Sequence, residues 1–169
     1  MSDPCGNCGG YNNPPTATDI IIEHSARGKS GIVLITRRNP PHLDKYALPG
    51  GFHERGLTLA ENAIKEAKEE TGLDIIIEGD PERPLCTHSN PSRDPRNHTI
   101  GVTYVARGYG RLEAGDDAKT AALYSIHEVS AMLGKDMFAF DHEKALVKYL
   151  RHLMKDLPPF NERGAYGRR

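Results

Sequence analysis

Three glutamates lie close together in the 169-residue chain: Glu66, Glu69 and Glu70. On a helix, positions i, i+3 and i+4 share one face, so the three carboxylates would project to the same side. Like charges at this spacing repel by roughly 0.2–0.5 kcal/mol per pair on an isolated helix. A hard divalent cation relieves that repulsion, because Mg²⁺ prefers carboxylate oxygens and substrate phosphates. Spacing alone fits a metal site or a solvated helix face, and the solvated face is the commoner case.

The glutamates fall within the clearest helix pattern of the chain, which we predict over Thr58–Thr71. Thr58 followed by Glu61 has capping-box spacing, and Gly72 stands where helices commonly end. Small apolar residues repeat every four positions and would pack closely on a sheet: Leu59, Ala63 and Ala67.

Apolar runs predict the strands that this helix would pack against. They are Thr18–His24, Gly31–Thr36, Asp74–Glu78, Thr99–Ala106 and Ala122–Ile126. A last helix is predicted from Asp141, a good N-cap, to about Lys155. Residues 37–50 and 79–97 are predicted to be long loops, and the second is polar enough to suggest function. Strands that alternate with two helices indicate an α/β layered domain.

The composition is ordinary for one soluble domain, with 37% hydrophobic and 27% charged residues. A formal net charge of −1 gives no reason to expect nucleic-acid or membrane-surface binding. No apolar run approaches the roughly 18 residues that span a bilayer, so we expect a cytoplasmic protein. We expect residues 1–17 to form an arm, mobile or lying on a partner subunit, residues 18–157 the domain, and residues 158–169 a disordered tail.

Three cysteines argue against a disulfide framework. Cys5 and Cys8 have the C-x-x-C spacing of half a zinc site, but a closed site needs four ligands. Cys86 and His88 would complete it only if the fold brought them close. Two reduced thiols are the favoured interpretation, and zinc is the alternative.

The segment around the glutamates matches a longer pattern. Leu48–Phe52 is a tight turn with two glycines, which let the backbone approach a phosphate or present a carbonyl to an ion. From Gly51 to Leu73 the chain (GFHERGLTLAENAIKEAKEETGL) resembles the Nudix box, G-x5-E-x7-R-E-U-x-E-E-x-G-U, with U aliphatic. The resemblance implies a Nudix α/β/α sandwich around a mixed β-sheet and a pyrophosphohydrolase that uses Mg²⁺ or Mn²⁺.

By this resemblance, Glu66 and Glu70 are the principal metal ligands, Glu69 is a further or water-mediated ligand with a catalytic role, and the Gly50 carbonyl is a fourth group. Two positions depart from the pattern. Leu57 replaces the first glutamate of the box, and Lys65 replaces its arginine. Lysine cannot make the bidentate fork by which the arginine of the family is expected to orient the carboxylates.

Segments outside the box resemble the ADP-ribose pyrophosphatase branch of the family. They are Asn13–Ile22, Ser92–His98 (SRDPRNH), Ala114–Ala118 (AGDDA) and Phe138–His142 (FAFDH). The resemblance implies that ADP-ribose is cleaved to AMP and ribose 5-phosphate by a homodimer. NADH or another nucleoside diphosphate derivative is the rival substrate. A Nudix sensor that binds ADP-ribose without cleaving it is the rival class.

Four further positions are candidates for substrate binding: Arg93, Arg96, Glu54 and Phe140. Arginine matches phosphate bidentately, although Arg93 and Arg96 would also stabilise their own loop. Phe140 is expected to stack on adenine or to fill the core. We expect Asp117, rather than Asp116, to act as the general base or a metal ligand, with a turn that caps backbone amides as the alternative. His98 and His142 are weaker candidates.

Overall fold

The computed structural model describes residues 13–115 and 118–155. Within these ranges eight strands and three helices follow one another along the chain. In order they are β1 (Thr16–Ala26), β2 (Lys29–Arg37), β3 (Tyr46–Ala47), β4 (Gly50–Phe52), α1 (Leu59–Thr71), β5 (Asp74–Ile77), β6 (Cys86–His88), β7 (Ile100–Tyr109), β8 (Ala118–Tyr124), α2 (Ile126–Met132) and α3 (His142–Lys155).

The strands form one mixed sheet. Its main path runs β3-β2-β1-β7-β5, while β4 pairs with β1, β6 with β7 and β8 with β2. The β1–β7 pairing is parallel and the other strand pairings are antiparallel. The sheet therefore places β1 at its centre, with the glycine turn of β4 alongside it.

The three consecutive isoleucines of β1 show how the sheet divides two cores. Ile20, Ile21 and Ile22 are all fully buried. Because successive side chains of a strand point to opposite faces, Ile20 and Ile22 pack with Ala63 and Ala67 of α1, whereas Ile21 packs with α2 and α3. Helices cover both faces, so the expected α/β/α sandwich around a mixed sheet is confirmed.

Helix α1 begins and ends as its local sequence predicts. The Thr58 hydroxyl accepts a hydrogen bond from the Glu61 amide (3.2 Å), and the Glu61 carboxylate accepts one from the Thr58 amide (2.7 Å). Gly72 ends the helix in the left-handed conformation, with φ of 70°. These caps fix where the glutamate-bearing turns of the helix lie relative to the sheet.

Several predicted boundaries were wrong. The segment Ala122–Ile126 is not wholly a strand, because Ile126 begins α2, where Ser125 and Glu128 form a second capping box. The predicted loops 37–50 and 79–97 contain β3, the first residue of β4, and β6. These short strands have too few residues for a period to show, and their pairing partners define them. Strand β1 starts at Thr16, within the range assigned to the N-terminal arm.

No helix in the part of the chain that the structure describes is both long and apolar enough to cross a membrane.

Candidate active site

Two of the three glutamates contact the glycine turn formed by Gly50 and Gly51. The Gly50 amide donates a hydrogen bond to Glu70 Oε2 (2.8 Å). The Glu66 carboxylate lies directly against Gly51, where an added Cβ would stand 2.5 Å from Oε2. Gly50 itself has a φ of 154° and approaches the Thr18 carbonyl too closely for any side chain. Absence of side chains therefore lets both carboxylates converge on this turn.

Glu69 takes a different direction from Glu66 and Glu70. Its Oε2 accepts a hydrogen bond from Lys65 Nζ (2.9 Å), and its side chain is 55% exposed. Lys65 also pairs with Glu54 (3.0 Å), and the hydrogen bonds that Lys65 donates to Glu69 and Glu54 raise the pKa of Lys65. Glu54 thus supplies Lys65 with the acidic partner that Leu57 does not provide.

A pocket of about 230 Å³ opens above the turn. Three acidic residues line it, Asp19, Glu70 and Asp94, together with four arginines, Arg37, Arg38, Arg93 and Arg96. Cationic side chains facing carboxylates across a cleft suit a ligand that carries phosphates and a divalent cation. The pocket is lined from β1, β2 and the loop after it, β4, α1, the loop before β7 and the start of α3.

Arg93 lines the same pocket and belongs to a buried ion pair. Its guanidinium donates to both oxygens of Asp141, at 2.7–3.1 Å, and lies 3.8 Å from Asp19. Only 4% of the Arg93 side chain and 7% of the Asp141 side chain are exposed. Burial disfavours both charges, but their mutual hydrogen bonds prevail, so the pKa of Arg93 is raised and that of Asp141 is lowered. The Asp141 carboxylate, expected to cap α3, is engaged by Arg93.

Arg96 occupies a more open position. It pairs with the buried carboxylate of Asp94 (2.7 Å), yet 44% of its side chain is exposed. Burial opposes the charge of Asp94, but hydrogen bonds from Arg96 keep the pKa of Asp94 lowered. The guanidinium lies 5.3 Å from the Phe52 ring centroid and 5.4 Å from that of Phe140. Arg96 is therefore both a loop-stabilising group and a cation at the pocket wall.

Phe140 lies at the pocket and borders the core. Its backbone adopts a φ of 50°, and its ring meets His42 edge-on at 4.8 Å. Arg37 lies over the same ring at 4.9 Å. The side chain also packs against a small core cluster of Ile35, Ala47 and Ala139. Both functions expected for Phe140, stacking and core filling, are thus compatible with its position.

The site also contains Asp19 of β1 and His142 of α3, and no motif in the sequence indicated a role for either residue there. Asp19 pairs with Gly50 across the β1–β4 ladder and lies 3.4 Å from His142 Nε2. His142, considered only a weak candidate, accepts a hydrogen bond from the Leu48 amide at Nδ1 (2.9 Å). Phe52, at the end of the turn, is 47% exposed beside Arg96. The only signal for Asp19 and His142 was that both lie in segments resembling the ADP-ribose branch.

The donor chemistry of the turn fits a hard divalent cation, because carboxylates of Glu66 and Glu70 adjoin a backbone turn beside phosphate-compatible arginines. Among residues 13–115 and 118–155, however, no three His, Cys, Asp or Glu side chains are gathered as a complete ligand set. Glu69 bonds to Lys65 and Glu70 to the Gly50 amide, which accounts for this arrangement.

Some predicted site residues lie outside the described residues, namely Asp116, Asp117, Cys5 and Cys8. The preceding Gly115 lies at the end of α1, where its amide donates to the Glu70 carbonyl (3.0 Å). Cys86 packs in the core beneath α3, and burial raises the pKa of its thiol.

Known proteins resemble this chain in sequence across the region that forms the pocket. The model of the NUDIX domain matches residues 14–149. Over 142 residues the chain is 39% identical to the ADP-ribose pyrophosphatase of Methanocaldococcus jannaschii, covering 83% of this chain and 76% of that protein. An ADPR responsive transcriptional repressor of Acinetobacter baylyi is 33% identical over 98 residues, covering 57% of this chain and 38% of the repressor.

A solved structure extends the likeness to the fold. A MutT/nudix family protein from Enterococcus faecalis has a TM-score of 0.71 at 28% identity, over 87% of this chain and 64% of that one. The chain belongs to the Nudix family. The expected resemblance to the ADP-ribose pyrophosphatase branch and the expected enzyme class, a hydrolase of diphosphate bonds, are confirmed.

Proposed function

We propose that the chain hydrolyses the diphosphate bond of ADP-ribose, releasing AMP and ribose 5-phosphate, with Mg²⁺ or Mn²⁺ as cofactor. The observation that carries this proposal is the convergence of the Glu66 and Glu70 carboxylates on the Gly50–Gly51 turn, which lines an arginine-rich pocket. The 39% identity to an ADP-ribose pyrophosphatase supports the choice of substrate.

In this proposal Glu66, Glu70 and the Gly50 carbonyl hold the metal, and Glu69 joins them directly or through water. A bound divalent cation would polarise the phosphoryl oxygens and neutralise charge that develops during attack by water. Glu69 is paired with Lys65 in this structure. It can therefore bind the metal only if that ion pair opens or if a water molecule bridges its carboxylate to the ion.

The residues of the pocket wall bind the substrate. Arg96 is the guanidinium we assign to the diphosphate, because almost half of its side chain is exposed at the pocket. Arg93 lines the same wall and is assigned to substrate binding with Arg96, and its buried pair with Asp141 holds the guanidinium in place. Phe140 offers its ring to the adenine, and Glu54 is assigned to substrate binding at the rim, where it also restrains Lys65.

We assign the general base to Asp117. The supporting observation is that Gly115, two residues earlier in the sequence, donates its amide hydrogen to the Glu70 carbonyl at the end of α1. The homodimer, the cytoplasmic location and the lack of nucleic-acid binding remain predictions from the sequence, as does the choice between free thiols and zinc at Cys5 and Cys8.

Two rivals are separated by one experiment. NADH is the alternative substrate, and the similarity to an ADPR responsive repressor raises binding without cleavage as the alternative function. The purified protein is incubated with Mg²⁺ and equal concentrations of ADP-ribose or NADH, and products are resolved by chromatography. We expect AMP from ADP-ribose with the higher kcat/KM. Faster cleavage of NADH would refute the substrate, and tight ADP-ribose binding without products would refute catalysis.

A further inference from the structure

We infer that His142 is a positioning residue that fixes the metal-binding turn through the amide of Leu48. This inference rests on the proposed function, since it concerns the turn to which we assign the metal. His142 begins α3 and is only 5% exposed at the pocket wall, and both of its ring nitrogens face protein groups, the Leu48 amide and the Asp19 carboxylate.

The contacts of the ring define which nitrogen of the neutral imidazole carries the hydrogen. Nδ1 lies 2.9 Å from the Leu48 nitrogen and accepts its hydrogen, so Nδ1 itself carries no proton. A neutral imidazole then carries its hydrogen on Nε2, which faces the Asp19 carboxylate at 3.4 Å. Asp19 therefore favours the one tautomer that leaves Nδ1 free to accept.

Three consecutive residues of the turn are held by three different elements. Leu48 is bound to α3 through His142, the Pro49 carbonyl accepts from the Ile20 amide of β1 (2.8 Å), and the Gly50 amide donates to Glu70 of α1 (2.8 Å). Leu48 is 1% exposed, so water has no access to replace a lost acceptor. Loss of the Nδ1 acceptor would let the backbone shift just two residues before Gly50.

The network behind the ring explains why this role falls to α3. Asp141, the residue before His142, is locked to Arg93, and Arg93 also lies 3.8 Å from Asp19. Arg93 thus contacts both Asp19, which lies beside Nε2, and Asp141, which precedes the histidine. The start of α3 is therefore held in place, and the hydrogen bond from the Leu48 amide to His142 fixes the turn relative to this helix.

Two amide substitutions separate the positioning role from general stability. His142→Asn places an amide oxygen near the position of Nδ1, where it can still accept from Leu48. His142→Gln places its amide nearer the position of Nε2 and leaves the Leu48 amide without an acceptor. The two variants are compared for melting temperature, for Mn²⁺ affinity from the electron paramagnetic resonance of free Mn²⁺, and for kcat and KM with ADP-ribose.

We expect His142→Asn to bind Mn²⁺ within about threefold of wild type, and His142→Gln to bind it about 10–100-fold more weakly with a matching fall in kcat. The unpaired Leu48 amide lowers the melting temperature of His142→Gln, so both variants are assayed well below their melting temperatures, where they are folded. Equal Mn²⁺ affinity in both variants, with active wild type, would overturn the inference and leave the proposed function standing. Wild type that neither binds Mn²⁺ nor cleaves ADP-ribose would overturn both.

A measurement on the wild type keeps the inference testable if the variants do not fold. Long-range ¹H–¹⁵N correlation spectra distinguish the two neutral histidine tautomers. We expect His142 to carry its hydrogen on Nε2. A hydrogen on Nδ1 would exclude the bond from Leu48 and overturn the inference.

Discussion

At position 51 the absence of a side chain is itself a functional property. A methyl group there would stand 2.5 Å from a Glu66 carboxylate oxygen, so Glu66 would have to swing away from the turn. We expect Gly51→Ala to weaken Mn²⁺ binding about tenfold while changing the free energy of unfolding by less than about 1 kcal/mol. Isothermal calorimetry and chemical denaturation measure the two quantities.

Gly101 offers a matched control, because a methyl group there would press on the Arg93 guanidinium at 2.7 Å. Gly101→Ala should therefore reduce stability more than Gly51→Ala does, and Mn²⁺ affinity less. Unchanged Mn²⁺ affinity in Gly51→Ala would contradict the assignment of Glu66 as a metal ligand.

The directions of two of the three glutamates could be predicted from the sequence, and the direction of the third could not. Helical spacing correctly indicated that Glu66 and Glu70, four positions apart, share a face, and the glycines upstream indicated what they face. The same spacing could not place Glu69, because its direction depends on a competing partner. Lys65, also four positions away, holds Glu69, and Glu54 from the preceding loop holds Lys65.

Elements differ in how far their sequence determines them. Helix α1 was predicted with both caps, since its signals lie within a few residues of one another. Helix α2 has an equally local capping box at Ser125 and Glu128, and it was missed because the adjoining apolar residues suggested a strand. Strand β6 has three residues and is defined by pairing with β7, which no local pattern reveals.

The buried Arg93–Asp141 pair links the loop before β7 to the start of α3. Removing one member of a buried ion pair leaves an uncompensated charge, which typically costs about 3–5 kcal/mol. We expect Arg93→Met to lose about that much free energy of unfolding in urea denaturation, leaving Asp141 without its main partner.

Arg107→Met is the control for the same chemical change at the surface. Arg107 pairs with Glu78 at 2.9 Å, but its side chain is 59% exposed, so we expect a loss below about 1 kcal/mol. A loss for Arg93→Met no larger than for Arg107→Met would contradict a structural role for the buried pair.

Across the whole molecule, the sheet brings together segments that are distant in sequence. Asp19 of β1, Arg93 of the loop before β7 and His142 of α3 meet behind the glycine turn. Their residue types indicated charge and hydrogen-bonding capacity, but their meeting depends on the parallel pairing of β1 with β7 and on α3 packing across the sheet. The resemblance to the ADP-ribose branch marked these segments without explaining why they belong together.

The central claim is that the carboxylates converging on the glycine turn support metal-dependent hydrolysis of ADP-ribose. The most direct test compares Mg²⁺-dependent AMP release by wild type, Glu70→Gln and Glu61→Gln. Glu61 lies on the same helix, and glutamine can still serve its capping box. We predict that Glu70→Gln lowers kcat by about a hundredfold or more and that Glu61→Gln stays near wild type. Equal turnover by Glu70→Gln and wild type would contradict the account.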